Sequence, residues 1–139
     1  MAESLLQIGT RSIFEQEHDL YRESCRKFYN DEVVPFHNEW EKKGEVPREL
    51  WKKAGANGML CVTMPEKYGG AGLDVSFAAV NWEEQSYANT SGPGWSLHSE
   101  IVAPYILHYG TEEQKEQYLP KMASGFNVFI VFVMLILIV

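Results

Sequence analysis

Two adjacent carboxylates, Glu83 and Glu84, are the residues of this sequence that most invite a catalytic interpretation. A pair of acids can divide general acid and general base work between its two members. Neighbouring helical residues point about 100° apart, so we expect the two side chains not to share a site and at most one of them to be buried. The sequence therefore favours a solvated or salt-bridged helix face over an acid–base pair.

His98 and the two cysteines are the candidate metal ligands or nucleophiles. No second His, Cys or acid follows His98 at the third or fourth position, so we expect a hydrogen-bonded core histidine. Cys25 and Cys61 lack the spacing of a zinc or redox motif, which argues against a disulfide scaffold and fits a reduced, intracellular compartment. Cys25 lies on an apolar stripe without a cationic neighbour, so we interpret it as a small buried hydrophobe.

The glycines at 69, 70 and 72 suggest a phosphate cradle only at first sight. A dinucleotide fingerprint needs a preceding strand, a fixed glycine spacing and a helix that opens at once, and the sequence meets none of these conditions. We predict instead that residues 55–74 form an ordered loop over the core in which glycines supply positive φ. No nucleophile elbow, P-loop or metal motif is present in the sequence.

Composition limits the fold class and the partners. The 139 residues suffice for about one domain with a single core. A net charge of -7 and a pI near 5.1 leave no basic patch, so nucleic acid is not an expected partner. The first residues contain neither the apolar run of a signal peptide nor the arginines of a transit peptide, so no targeting segment is visible.

Signals for helix starts and ends divide the first half of the chain into helices. Ser12 and Glu15 form a capping box that predicts the first helix start. Pro35 should break this segment, and Pro47 should stand at or near the first position of a later helix. The residues expected to face the core from these helices are Phe14, Tyr21, Cys25, Phe28, Leu50, Trp51 and Ala54.

The second half of the chain contains the helix around which the others are expected to pack. Asp74 predicts a helix that ends near Ala88, followed by a turn-rich run over residues 89–94. From Trp95 to Tyr109 apolar residues cover most of the circumference, so we expect packing on several sides. Gly110 is expected as a left-handed terminator, Thr111 and Gln114 form a capping box, and Gly125 should close the last helix. The predicted fold is all-α, an up-and-down arrangement of about five helices resembling a bundle.

Four segments taken together resemble a known family. They are residues 44–55 (GEVPRELWKKAG), 65–72 (PEKYGGAG), 82–87 (WEEQSY) and 110–115 (GTEEQK). These runs, in this order, resemble the N-terminal α-helical domain of the acyl-CoA dehydrogenases. The similarity covers about residues 8–125. The run Ser91-Gly92-Pro93-Gly94 most resembles the long-chain branch of the family.

The resemblance implies a homotetrameric flavoenzyme of the mitochondrial matrix that acts in fatty acid β-oxidation. Such an enzyme oxidises an acyl-CoA thioester to the trans-2-enoyl-CoA: a glutamate removes the α-proton, FAD accepts the β-hydride, and the electrons pass to electron-transfer flavoprotein. The helical domain of the family supplies one wall of the acyl-chain cavity. Pro93, Gly94 and Trp95 match that wall, although Pro93 and Gly94 are equally well explained as a simple helix start.

The chain departs from the family after residue 125. We divide it into an arm at residues 1–11, the helical domain at 12–125 and an apolar tail at 126–139. The family motif T-E-P-x-A-G-S-D, which binds flavin and the thioester, does not occur in the sequence. We therefore expect a truncated isoform or fragment that holds no FAD, has no catalytic residue and is inactive alone. The alternative is a non-catalytic binding or membrane-associated module built on the same helices.

Three interpretations of the apolar tail are open. As a membrane anchor it is short, because a spanning helix needs roughly 17–25 apolar residues and residues 126–139 number only 14 even when Asn127 is counted. As a strand it is long and uncharged, without a predicted sheet to join. We favour an alternative exon or read-through as its origin. An uncharged run of this kind predicts poor solubility or membrane association of the full chain.

Overall fold

The computed structural model describes residues 11–128, which fold into helices joined by loops, with no strand in that range. The six α-helices are α1 (Gln16–Phe28), α2 (His37–Lys43), α3 (Arg48–Ala56), α4 (Val75–Tyr87), α5 (Ala103–Tyr109) and α6 (Glu112–Ala123). Two π-helical segments, Tyr29–Val33 and Leu97–Val102, and one 3₁₀ turn, Glu66–Tyr68, complete them. The predicted all-α fold is confirmed.

Helix α1 begins later than the sequence predicts. Ser12 lies in a turn, and the N-cap is Glu15, whose backbone N–H donates to Nδ1 of His18 at 3.0 Å. The prediction of a Ser12 cap was wrong because a histidine can also accept the bond that closes a capping box, and its ring is held here by stacking on Phe77 at 4.1 Å. The expected core stripe is present further along the helix, where Cys25 and Phe28 are buried.

The prolines act as the sequence predicts. The π-helical segment after α1 ends at Val33, a turn contains Pro35, and α2 starts two residues later. Pro47 is the N-cap of α3. A backbone N–H at this position would have no partner within the helix, so proline loses no hydrogen bond there. All three residues expected to face inward from α3 are buried, namely Leu50, Trp51 and Ala54.

The glycine-rich segment between α3 and α4 is an ordered loop, as predicted. Gly58, Gly69 and Gly72 have positive φ, and a side chain on Gly70 would collide with the Met64 carbonyl at 2.1 Å. The loop contributes to the core through buried residues that include Cys61. It ends at an N-cap on α4, where the Asp74 carboxylate accepts the Ser76 N–H at 2.7 Å.

The central helix, formed by the π-helical segment Leu97–Val102 and α5, is packed on one face rather than on several. Its inner face is buried through His98, Ser99, Val102, Ala103 and Ile106, and Trp95, two residues before the helix, is buried as well. The opposite face carries an apolar row that we call the outer stripe: Leu97, Ile101, Tyr105 and Tyr109, each 44–73% exposed. The prediction of packing on several sides was wrong because apolar composition shows which residues avoid water, not which partners the described part of the chain provides.

Gly110 is extended, with φ -74° and ψ 153°, so its prediction as a left-handed terminator was wrong. The glycine is needed there for close approach, because a Cβ would lie 2.6 Å from the Ile106 carbonyl oxygen. The capping box that follows is confirmed: the Thr111 hydroxyl accepts the Gln114 N–H at 3.2 Å, and the Gln114 amide oxygen accepts the Thr111 N–H at 2.8 Å.

Helix α6 ends as predicted, with Gly125 in the left-handed region at φ 70°. Its N–H bonds to the Met122 carbonyl at 3.0 Å. Of the predicted apolar tail, residues 129–139 lie outside the described range. Among the helices of residues 11–128, none is long and apolar enough to cross a membrane.

Candidate functional site

A cleft of about 510 Å³ lies between the end of α4 and the start of the central helix. Its walls are formed by Trp82, Gln85, Ser86, Asn89, Thr90, Ser91, Pro93, Gly94, Ser96 and Leu97. Of the three residues predicted for the acyl-chain wall, Pro93 and Gly94 line the cleft. Trp95 is 1% exposed and packs beneath the loop against Phe28, Tyr29 and Trp51. The predicted role of these residues remains a prediction.

The loop that forms one wall of the cleft is tied to α4. The Gln85 side-chain amide donates to the carbonyls of Thr90 and Pro93 at 2.8 and 2.9 Å. The Gly92 N–H donates to Nε2 of His37 at 3.1 Å, which joins the loop to α2. These bonds satisfy backbone groups that a turn would otherwise leave without partners, and they attach the loop to α4 and α2.

The outer stripe begins at the cleft, because Leu97 belongs to both. One turn further, Glu100 accepts a hydrogen bond from the Trp82 indole N–H, with 3.3 Å between Nε1 and Oε2. Burial raises the pKa of Glu100 to about 7, although the Trp82 hydrogen bond opposes this. We did not single out Glu100 from the sequence. The available signal was that it is the one acidic residue between Trp95 and Gly110.

Glu83 and Glu84 share a partner, contrary to the prediction that they do not share a site. Nη1 of Arg22 lies 2.6 Å from a Glu83 oxygen and 3.2 Å from a Glu84 oxygen. Arg26 binds both oxygens of Glu84 at 2.8 and 3.0 Å, and Arg11 binds Glu83. The prediction failed because a long guanidinium on a facing helix reaches two carboxylates that point apart.

This Arg–Glu cluster favours the ionised form of Glu83. Burial acts to raise the pKa of Glu83, but the hydrogen bonds from Arg11 and Arg22 outweigh it and hold that pKa below its ordinary value. Only one of the two acids is fully buried, Glu84, which is 2% exposed. The cluster is thus the salt-bridged helix face that the sequence favoured, and we assign no acid–base role to it.

His98 and Cys25 are core residues, as predicted, and Cys61, for which we made no such prediction, is buried as well. His98 is fully buried, and its Nε2 lies 3.1 Å from the Met122 carbonyl oxygen. Burial raises the pKa of both Cys25 and Cys61 to about 12, so neither thiol is ionised near neutral pH. Within residues 11–128, no three His, Cys, Asp or Glu side chains are placed to hold a metal ion.

A Ser–His–Asp contact also joins the starts of α1 and α4, and sequence reasoning did not find it. Ser76 Oγ lies 2.6 Å from His18 Nε2 and also bonds Asp74. Because His18 Nδ1 accepts the Glu15 N–H, its Nε2 carries the proton and donates to Ser76. The Ser76 hydroxyl then donates to Asp74. This direction is the reverse of nucleophile activation, so the contact is structural.

Comparison of the chain with known proteins identifies one family. The family described as "Acyl-CoA dehydrogenase, N-terminal domain" matches residues 15–126. The mitochondrial long-chain specific acyl-CoA dehydrogenase of Rattus norvegicus is 58% identical over 124 residues, which are 89% of this chain and 29% of that protein. The chain therefore spans less than a third of the length of this relative.

Solved structures agree with the sequence comparison. An acyl-CoA dehydrogenase from Geobacillus kaustophilus superposes with a TM-score of 0.81 at 44% identity, over 86% of this chain and 31% of that one. An acyl-CoA dehydrogenase from Bacillus anthracis, solved in complex with FAD, gives a TM-score of 0.70 at 32% identity, over 86% and 21% of the two chains. On the family match and these similarities, the chain belongs to the acyl-CoA dehydrogenases, and residues 15–126 correspond to their N-terminal domain.

Proposed function

We propose that residues 11–128 supply the acyl-chain wall of a long-chain acyl-CoA dehydrogenase. The observation that carries this proposal is the continuity of the cleft, with Pro93 and Gly94 in its wall, and the outer stripe, which starts at Leu97. An alkyl chain needs an apolar, concave surface with a depth that suits its length. The exposed stripe provides the apolar surface, and the cleft provides depth at one end.

The residues described here do not fit FAD by themselves. The cleft lining contains no Arg or Lys that could bind a pyrophosphate. The three arginines of the Arg–Glu cluster, Arg11, Arg22 and Arg26, are engaged with Glu83 and Glu84. We therefore derive no flavin-dependent step from this chain. In our proposal its contribution is to bind and orient the acyl chain and to exclude water from it.

The activity of the whole enzyme is part of the same proposal and rests on family membership. We propose that the complete protein is a mitochondrial flavoenzyme that converts a long-chain acyl-CoA to the trans-2-enoyl-CoA. Its flavin, catalytic base and thioester contacts would come from outside residues 11–128, and its partners would be electron-transfer flavoprotein and further copies in a homotetramer. The FAD complex of the Bacillus anthracis relative supports the cofactor assignment.

The wall proposal predicts that the 139-residue chain binds an alkyl chain without a flavin. We expect methyl decanoate to bind, and the substitution Leu97→Arg to weaken this binding about 10-fold or more, because a charged side chain would occupy the junction of cleft and stripe. Equilibrium dialysis measures the affinity. The control is Leu20→Arg, since Leu20 is 62% exposed and lies on α1, away from the cleft. Equal loss in both variants would contradict the assigned location.

A second prediction concerns the chain by itself. Hydride transfer requires the α and β carbons of the substrate to lie between a base and the flavin ring, and in our proposal both the base and the flavin site lie outside residues 11–128. We expect the purified chain to show no flavin absorbance and no reduction of a dye acceptor with palmitoyl-CoA or octanoyl-CoA. Stoichiometric flavin, or turnover above background, would show a cofactor site that we have not identified.

A further inference from the structure

His37 connects α2 to the loop of residues 89–94, which forms one wall of the cleft. The Gly92 N–H donates to His37 Nε2 at 3.1 Å. His37 is the first residue of α2, and it is 6% exposed. A Cβ on Gly92 would lie 3.3 Å from Nε2 and 3.5 Å from a methyl carbon of Val46. The middle of the loop therefore lies directly against the histidine ring.

The direction of this hydrogen bond identifies the protonation state of the ring. A neutral imidazole has one nitrogen that donates and one that accepts, whereas a protonated ring has two donors. Since Nε2 accepts from Gly92, the neutral ring carries its proton on Nδ1. A second proton would occupy Nε2 and face the Gly92 N–H, so an attractive contact would become a repulsive one. Histidine is the side chain that gains a proton under mildly acidic conditions.

The bonds that hold the ends of the loop do not depend on pH in this way. Gln85 donates to the carbonyls of Thr90 and Pro93 at 2.8 and 2.9 Å, and its own carbonyl accepts the Thr90 N–H at 3.3 Å. Side-chain amides and backbone groups do not titrate in the physiological range. Loss of the Gly92 bond would therefore detach the middle of the loop from α2 while its ends stay on α4.

Nearby charges do not compensate for a proton on His37. The loop of residues 89–94 contains no titratable side chain. The charged residues of α2 and of the segments directly before and after it are Asp31, Glu32, Glu39, Glu41, Lys42, Lys43 and Glu45. Three of these acids are paired with lysines, and within residues 11–128 none of the acids forms an ion pair with His37. A protonated ring would thus lose the Gly92 bond without gaining an ion pair.

We propose that His37 is a pH-sensitive switch of the cleft: its neutral form holds the loop of residues 89–94 against α2, and its protonated form releases Gly92. The wall of the cleft that contains Pro93 and Gly94 is then less firmly held. The cleft should therefore bind an alkyl chain more weakly at pH 5 than at pH 8. This effect on binding rests on the proposed acyl-chain wall, whereas the release of the loop does not.

Hydrogen exchange at the Gly92 amide tests the release of the loop. The full 139-residue chain is labelled with ¹⁵N-glycine, and NMR gives the exchange rate of each glycine amide relative to its intrinsic rate at the same pH. We expect this protection of Gly92 to fall about 5-fold or more from pH 8 to pH 5, because one hydrogen bond is lost. Gly110 is the internal reference: its N–H donates to the Ile106 carbonyl at 2.9 Å, and that acceptor does not titrate.

Substitutions of His37 test whether this residue is the origin of the effect. In His37→Gln the side-chain amide oxygen can accept the Gly92 N–H and does not titrate, so protection should be the same at pH 8 and pH 5. In His37→Ala protection should be low at both pH values. The matched control is His108→Gln, an exposed histidine on α5, which should behave as the wild type. Far-UV circular dichroism verifies that each variant is folded at both pH values.

Glu100 is the other titrating group next to the cleft, since burial raises its pKa to about 7 and it accepts a hydrogen bond from Trp82 of the cleft lining. Glu100→Gln separates the two groups, because it removes this titration and leaves His37 unchanged. We expect Gly92 protection to fall with pH in Glu100→Gln as it does in the wild type. A constant protection in this variant would assign the pH dependence to Glu100 and refute the switch.

Equilibrium dialysis with methyl decanoate at pH 8 and pH 5 connects the switch to the cleft. Weaker binding at pH 5 in the wild type but not in His37→Gln would support both proposals. If Gly92 protection is constant in the wild type, or falls equally in His37→Gln, the switch is refuted while the acyl-chain wall stands. If Gly92 protection falls as expected but methyl decanoate binds at neither pH, the wall fails and the switch of the loop stands.

Discussion

Replacing Arg22 by Met is expected to lower the free energy of unfolding by about 3–5 kcal/mol. Arg22 is 1% exposed and Glu84 is 2% exposed, so the substitution removes a buried cation and weakens the compensation of a buried anion. Arg26 still reaches Glu84, but its own side chain is 44% exposed and binds from the rim of the cluster. Breaking a buried ion pair on one side costs more than the pair itself contributes, because the remaining charge is left in a medium of low dielectric constant.

Urea unfolding followed by far-UV circular dichroism measures this loss. The control is Lys27→Met, which removes an ion pair between two exposed side chains, Lys27 and Asp31, and should leave the urea midpoint close to that of the wild type. The double variant Arg22→Met with Glu84→Met should recover much of the loss, since both charges are then gone. If the double variant is less stable than Arg22→Met alone, the uncompensated-charge explanation is wrong.

The cluster also predicts the direction of the pH dependence. Because the folded-state pKa of Glu83 lies below its ordinary value, the folded state favours its ionised form. Its contribution to stability is therefore present above the ordinary carboxyl pKa and is lost as the pH falls through the lowered folded-state value. In Arg22→Met one of the two hydrogen bonds that lower this pKa is missing, so this variant should lose less stability between neutral and acidic pH than the wild type.

Trp95→Ala is expected to destabilise the fold by about 3–5 kcal/mol, through the loss of its buried surface and the cavity left behind. The Trp95 ring lies 5.5, 5.9 and 6.2 Å from those of Tyr29, Phe28 and Trp51, so one side chain joins the core faces of α1, α3 and the central helix. Its indole Nε1 is buried without a hydrogen-bond partner within the described structure, which offsets part of its contribution.

The comparison with Trp82 isolates the effect of burial. Trp82 is 37% exposed and lies at the cleft, so Trp82→Ala should cost clearly less than Trp95→Ala in the same urea titration. Near-UV circular dichroism should lose most of its aromatic signal in Trp95→Ala, because the ring packs against three other aromatic rings. Equal losses of stability in the two variants would mean that the aromatic core is not organised around Trp95.

Much of the fold is local and could be predicted from the sequence. The Asp74 cap, the capping box of Thr111 and Gln114, and the helix end at Gly125 are each decided by a few neighbouring residues, because the groups that bond are close in the chain. The inward residues of α3 follow from helical periodicity in the same way. Gly110 shows the limit of such reasoning: a glycine after a helix predicts positive φ, but here contact with the Ile106 carbonyl determines its role.

The sequence by itself also determined the family, since four segments in a fixed order resembled acyl-CoA dehydrogenases and the family match over residues 15–126 confirmed it. Only the tertiary structure decided the candidate site. Arg22 meets Glu83 and Glu84 from more than 60 positions away in the chain, and Trp82 meets Glu100 across 18. Periodicity assigns a residue to a face of its own helix, but it does not show which helix packs against that face. The outer stripe is therefore exposed, and Glu100 accepts its hydrogen bond from Trp82, because of how separate helices pack together, which no local sequence pattern contains.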